Sequence, residues 1–159
     1  EVNYNLSFTG DTNVSTRRGD LVATDFNPND SNIKAIWIDS AYAEFNMVLS
    51  DEIGRYGFPN IFSPALGIAG EILTGIDVTA LSPAHLLMQN GQHYYFTHGE
   101  ADERVYVRHF YFFKEHVLSN NINAVFWLVP DTHHVEAMLK YPKEYGLRMK
   151  DFFLEHLDK

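Results

Sequence analysis

Three short stretches of this chain are apolar at nearly every position. IKAIWID over residues 33–39, HYYFTHG over His93–Gly99 and NAVFWLVP over residues 123–130 are rich in β-branched and aromatic residues. A strand with one wet face alternates polar and apolar residues, whereas a strand covered on both faces does not. Each stretch therefore predicts an interior strand of a parallel sheet. Between the second and third lies VRHFYFFKEHVLSNN, in which Phe110, Phe113 and Val117 recur at helical spacing and SNN closes the segment. Strand, helix and strand in that order predict one βαβ unit. After the third strand, YPKEYGLRMKDFFLEHLDK offers Pro142 at a helix start and Tyr145, Met149, Phe152 and Leu157 along one stripe. The chain is expected to end on a helix packed back on the sheet.

The remaining segments are less periodic. Residues 46–91 form a long excursion with RYGFPNIFSPALGIAGEILTG in the middle, where glycines and prolines break the pattern into two or three short helices that would form a lid or a flank. Residues 1–32 are the least regular. NYNLSFTG predicts a strand there, and the polar run after it is punctuated by Gly10, Gly19 and Pro28. No internal repeat and no low-complexity tract is present. The expected fold class is α/β, a mostly parallel sheet flanked by helices, in a single domain over residues 1–159.

Composition narrows the function classes. With 159 residues, 45% of them hydrophobic and 21% charged, the chain can bury the core of one ordinary globular domain. A formal net charge of −9 argues against nucleic acid, whose recognition rests on clustered Lys and Arg. No apolar run approaches the ~20 residues of a membrane span. There is no cysteine, which excludes disulfides, thiolate metal sites and a cysteine nucleophile. The compartment stays open, with the cytoplasm slightly favoured; the sequons at Asn5 and Asn13 would matter only in a secreted protein. The chain begins at Glu1, so a native start is not expected here, and any targeting segment is expected to have been removed or to lie outside the sequence.

Candidate chemistry gathers where the strands end. FTHGEADERVYVRH passes from an apolar strand through a glycine into charge, placing His98, Glu100, Asp102, Glu103 and Arg104 together. PDTHHVEAM follows the next strand. In an open α/β sheet, ligands collect at the carboxyl ends of the strands, so these two loops should share an edge and bring Asp102 within reach of His134. An acid that orients an imidazole is half of a nucleophile-activating triad. Taken singly, Asp102 also reads as a loop-capping carboxylate and His134 as a partly buried histidine bonded to backbone. His98, His133, His134, Glu100 and Asp102 are of types that could ligate zinc or a hard metal, but no close paired spacing on one helix supports a metal site, and neither metal nor cofactor is expected. The aromatic run FYFF reads as core, and Arg18-Gly19-Asp20 as a chance match to an adhesion tripeptide. Ser40, after Asp39, reads as a strand-end hydrogen-bonding residue.

YYFTHGEADERVYV, a helix, VFWLVPDTHHVEAM and a final amphipathic helix together resemble the C-terminal part of an α/β-hydrolase, particularly the serine esterases and peptidases related to prolyl oligopeptidase. The resemblance runs from about Ile33 to Leu157. It implies that Asp102, in the H-G-x-x-D-x-x-V loop, is the triad acid and that His134 is the general base. His133 stands where the family usually has a small residue, and Tyr106 where a proline is common. IKAIWIDSAYAE resembles the strand after the nucleophile-bearing helix, and residues 46–91 resemble the variable cap.

The family's nucleophile motif G-x-S-x-G does not occur in this sequence. Chain order places a candidate hydroxyl in the first thirty residues. Ser15 is the first, with Arg17 and Arg18 where small residues belong; Thr12 is the second, with Gly10 at the first glycine and Val14 at the other. Two readings follow. One is a serine hydrolase acting on a small ester or peptide substrate. The other is a non-catalytic, truncated or incomplete hydrolase half that needs another segment or chain, in which case a homo-oligomer covering an exposed sheet edge is expected.

Overall fold

The computed structural model describes residues 33–75, 82–87, 89 and 91–157. The expected strand over NYNLSFTG, the two sequons, the Arg18-Gly19-Asp20 tripeptide and both candidate hydroxyls, Ser15 and Thr12, lie outside the described residues.

The three apolar stretches are strands β1 (Ala35–Asp39), β2 (His93–Gly99) and β3 (Ala124–Val129). They form one parallel sheet in the order β1-β2-β3, with Ala35 opposite His93 and Tyr94 opposite Ala124. The helices are α1 (Phe45–Arg55), α2 (Ser63–Thr74), α3 (Arg108–Ser119), the single turn α4 (Ala137–Lys140) and α5 (Pro142–Leu157). Among the described residues of the excursion after β1, α1 and α2 pack together through a 3₁₀ turn at Asn60–Phe62, and a second 3₁₀ turn lies at Pro83–Leu86. Gly75, with φ of 70°, closes α2 in the left-handed conformation that glycine adopts without steric cost. Among the described residues, no helix is long and apolar enough to cross a membrane.

Alternation along the strands divides the core into two layers. Ile36, Ile38, Tyr94, Phe96, Phe126 and Leu128 face α3, whose Phe110, Phe113 and Val117 are buried against them as the helical spacing predicts. Trp37, Trp127 and Val129 lie on the opposite face with Tyr145 and Met149 of α5. Trp37 stacks on Tyr95 there with centroids 4.0 Å apart, and Phe152 meets both rings edge-on.

The strands differ in burial more than their composition predicts. β2 is buried along nearly its whole length, whereas β1 and β3 are half-buried and Val125 is exposed. Among the described residues β2 alone has a hydrogen-bonded strand on each side, so only its two edges are both covered.

Candidate functional site

Two loops leave the carboxyl edge of the sheet side by side. The first turns at Gly99 and carries Asp102, whose carboxylate is divided between two tasks. Oδ1 accepts the backbone N–H groups of Arg104 and Val105, both at 2.8 Å, which caps the turn into α3. Oδ2 lies 2.9 Å from Nδ1 of His134. The loop-capping and imidazole-orienting roles that the sequence allows separately are met by different oxygens of one side chain. Burial alone would raise the Asp102 pKa, but the hydrogen bonds from His134, Val105 and Arg104 outweigh it and hold the carboxyl below its usual range.

An ionised carboxylate only accepts hydrogen bonds, so Nδ1 of His134 carries a proton, and in the neutral imidazole Nε2 is the nitrogen with the lone pair. Nε2 makes no hydrogen bond among the described residues, and the His134 side chain is partly open to solvent at 19% exposure. The arrangement can accept a proton from an approaching hydroxyl and stabilise the imidazolium that forms.

Backbone contacts fix the two loops to one another. Glu100 N–H donates to the Val129 carbonyl at 2.9 Å and Ala101 N–H to the Thr132 carbonyl at 3.0 Å. The buried Thr132 hydroxyl ties its own loop back to Val129, and Glu136 accepts the His133 N–H at 2.9 Å. His98 is buried beneath the acid loop, where its Nε2–H donates to the Val105 carbonyl at 2.8 Å and lies 3.5 Å from Asp102 Oδ2. Burial holds its pKa below the usual value despite the two nearby carboxylates, Asp102 and Asp39.

A second acid and imidazole pair sits 58 residues apart in sequence, between α1 and α3. Nδ1 of the fully buried His109 accepts the Ala43 N–H at 3.0 Å, and its Nε2–H donates to Asp51 Oδ2 at 3.1 Å. Arg108 pairs with the other oxygen of Asp51. Both ring nitrogens are occupied, so this pair joins two helices and offers no free base. Sequence reasoning missed it. The available signal was His109 at helical spacing with the buried Phe113 and Val117; nothing in residues 46–91 marked Asp51 as its partner.

The other chemistry-bearing residues diverge. Glu100 and His133 are exposed, and no group of three or more His, Asp or Glu side chains is arranged to hold a metal ion among the described residues. Ser40 is buried at the end of β1 and hydrogen-bonded on both sides, to Asp39 and to Val135.

The fold is shared with a solved esterase. The Pyrococcus furiosus esterase Pf2001 superposes with a TM-score of 0.54 at 18% identity in one crystal form, covering 81% of this chain and 47% of the esterase. In a second crystal form the values are 0.53, 16%, 81% and 47%. At such identity the likeness is one of fold, and the chain spans about half the length of the esterase. No protein-family profile and no curated protein matches the chain.

Proposed function

We propose that this chain carries the acid and the base of a serine hydrolase of the α/β-hydrolase kind, cleaving carboxylic esters or amides, as in the carboxylesterases and the peptidases related to prolyl oligopeptidase. The observation that supports it is the 2.9 Å approach of Asp102 to Nδ1 of His134 across adjacent strand ends, with Nε2 unengaged among the described residues. In this reading His134 Nε2 takes the proton of a hydroxyl as its oxygen bonds to the substrate carbonyl carbon. It then returns that proton to the leaving alcohol or amine as the acyl bond breaks. Water repeats the cycle to release the acid. Asp102 stays ionised throughout, holding the tautomer and stabilising the imidazolium.

Ser15 is the proposed hydroxyl, ahead of Thr12, because a primary alcohol is less hindered than a β-branched one. An organophosphonate probe followed by peptide mapping tests the assignment. Labelling of Ser15 that disappears in His134→Ala, together with turnover of short nitrophenyl esters, is the expected result.

One observation favours a second reading, in which the chain supplies acid and base while another segment or chain supplies the nucleophile: the match occupies 47% of the esterase. Absence of labelling and turnover in this chain, with restoration on adding the complementing segment, would establish it. Under that reading a homo-oligomer covering the edge of β1 that has no partner strand among the described residues is expected, and light scattering showing a monomer would remove this assembly.

A further inference from the structure

One hydroxyl connects the end of β1 to the loop that carries His134. Ser40 is 3% exposed and has φ of 50°, a left-handed conformation that a serine enters at a cost and a glycine would enter freely. Its Oγ accepts the N–H of Val135 at 3.2 Å and donates its single proton to Asp39 Oδ1 at 3.0 Å. The other oxygen of Asp39 accepts the Tyr145 O–H from α5 at 2.9 Å, and the Tyr145 oxygen accepts Trp37 Nε1–H at 2.9 Å. A carboxylate accepts only, so every proton in this chain of bonds has one direction, and the Ser40 lone pairs are left facing Val135.

Val135 directly follows His134 and has φ of 56°, which is unfavourable for a β-branched residue and persists only where its surroundings impose it. Among the described residues its N–H is held by the Ser40 hydroxyl alone. A non-glycine residue at the strained end of β1 and a β-branched residue at the strained end of the histidine loop thus meet through one hydrogen bond. A glycine at position 40 would relieve the backbone and lose that bond.

We propose that Ser40 is a positioning residue whose hydroxyl fixes the backbone of Val135 and thereby aims the His134 imidazole at Asp102, with Asp39 and Tyr145 fixing the hydroxyl in turn. The inference rests on the Asp102 and His134 reading of the site. It gives the half-buried carboxylate of Asp39 a task and connects the packing of α5 to the geometry of the base. Ser40 is not itself the attacking hydroxyl in this assignment, because its proton is committed to Asp39 and its oxygen is shut away from solvent.

The test is NMR of the ¹⁵N-histidine-labelled full chain, comparing wild type with Ser40→Gly, Ser40→Ala and Asp102→Asn. Ser40→Gly removes the hydroxyl while easing the backbone, so it decides the matter even if Ser40→Ala fails to fold. With β2 amide protection unchanged, the His134 Nδ1–H should exchange with water about tenfold faster in Ser40→Gly. Asp102→Asn should abolish that resonance by moving the proton to Nε2. Loss of the resonance in Asp102→Asn with no change in Ser40→Gly overturns the inference and leaves the acid and base reading standing. An unchanged resonance in Asp102→Asn overturns that reading and the inference with it. Phosphonate labelling of Ser40 would also overturn the positioning role.

Discussion

Gly99 ends β2 directly beneath Thr132: a methyl group on its Cα would stand 2.3 Å from the Thr132 carbonyl oxygen and 2.5 Å from that of His133. These are backbone atoms of the histidine loop, so no side-chain rotation relieves the clash. The glycine is required by close approach of two backbones. Gly99→Ala should therefore push the two loops apart, costing about 1–3 kcal/mol or more of stability and separating Asp102 from His134. Urea unfolding measures the first effect and loss of the His134 Nδ1–H resonance the second. A variant as stable as wild type with that resonance intact would show that the loops have room to spare.

Asp102→Asn separates the two tasks of the carboxylate. The amide oxygen can still accept from Arg104 and Val105 at the place of Oδ1, so the turn should survive. The amide nitrogen then faces Nδ1 of His134, which must accept rather than donate, and the proton moves to the nitrogen that should be the base. In whichever assembly is active, turnover should fall on the order of 10⁴-fold with the fold retained. Ester hydrolysis and ¹⁵N chemical shifts of His134 report the two halves, and turnover within tenfold of wild type would argue against His134 as base.

The parts of this architecture that could be read from sequence are those dictated by local pattern. The three apolar runs became the three strands, and Phe110, Phe113 and Val117 of α3 are buried as their spacing requires. Asp102 and His134 were legible as a pair because parallel strands deliver their following loops to one edge. The Asp51 and His109 pair was not, since its members come from helices whose relative placement no local periodicity encodes. Nor was the role of Ser40. The sequence shows a polar residue at a strand end, and only the geometry shows its hydroxyl reaching Val135, 95 residues later. The half-burial of β1 and β3 was hidden for a related reason: composition reports how apolar a strand is, not how many neighbours it has.

Acid should weaken the fold in stages. Burial holds the pKa values of His98, His109 and His116 below that of a free imidazole, with His85 adding to the effect at His116. The unfolded chain then takes up these protons first, so their contribution is complete above about pH 6.5 and is lost as pH falls towards the folded values. Asp102, held below its usual range, contributes above about pH 4 and loses its contribution as pH falls through its folded pKa. Asp39 acts in the opposite sense. Burial raises its pKa, so its charged form costs stability at neutral pH and its earlier protonation offsets part of the loss. Melting temperature recorded from pH 8 downwards should therefore begin to fall near pH 6.5. In His109→Asn, which keeps an acceptor for the Ala43 N–H, that first slope should be shallower; an unchanged slope would place its origin elsewhere.

Tyr145 connects the sheet to α5 through polar atoms inside an aromatic layer. Its hydroxyl accepts from Trp37 and donates to Asp39, and burial together with the Asp39 charge pushes its pKa well above the usual phenol value. It therefore remains a donor throughout the working pH range. Tyr145→Phe keeps the ring that packs against Trp37 and Trp127 but strands a half-buried indole N–H and one carboxylate oxygen. The expected loss is about 1 kcal/mol, because the half-buried partners lose a hydrogen bond and recover only part of their solvation. The Asp39 pKa should rise further, since the Tyr145 hydrogen bond is the strongest of the interactions that lower it. Urea unfolding at neutral pH and at pH 5 tests both effects together. The deficit should be smaller at pH 5, where Asp39 is more readily protonated and can donate in its own right; a deficit that is equal or larger at pH 5 would show that the Tyr145 hydroxyl does not stabilise the Asp39 charge.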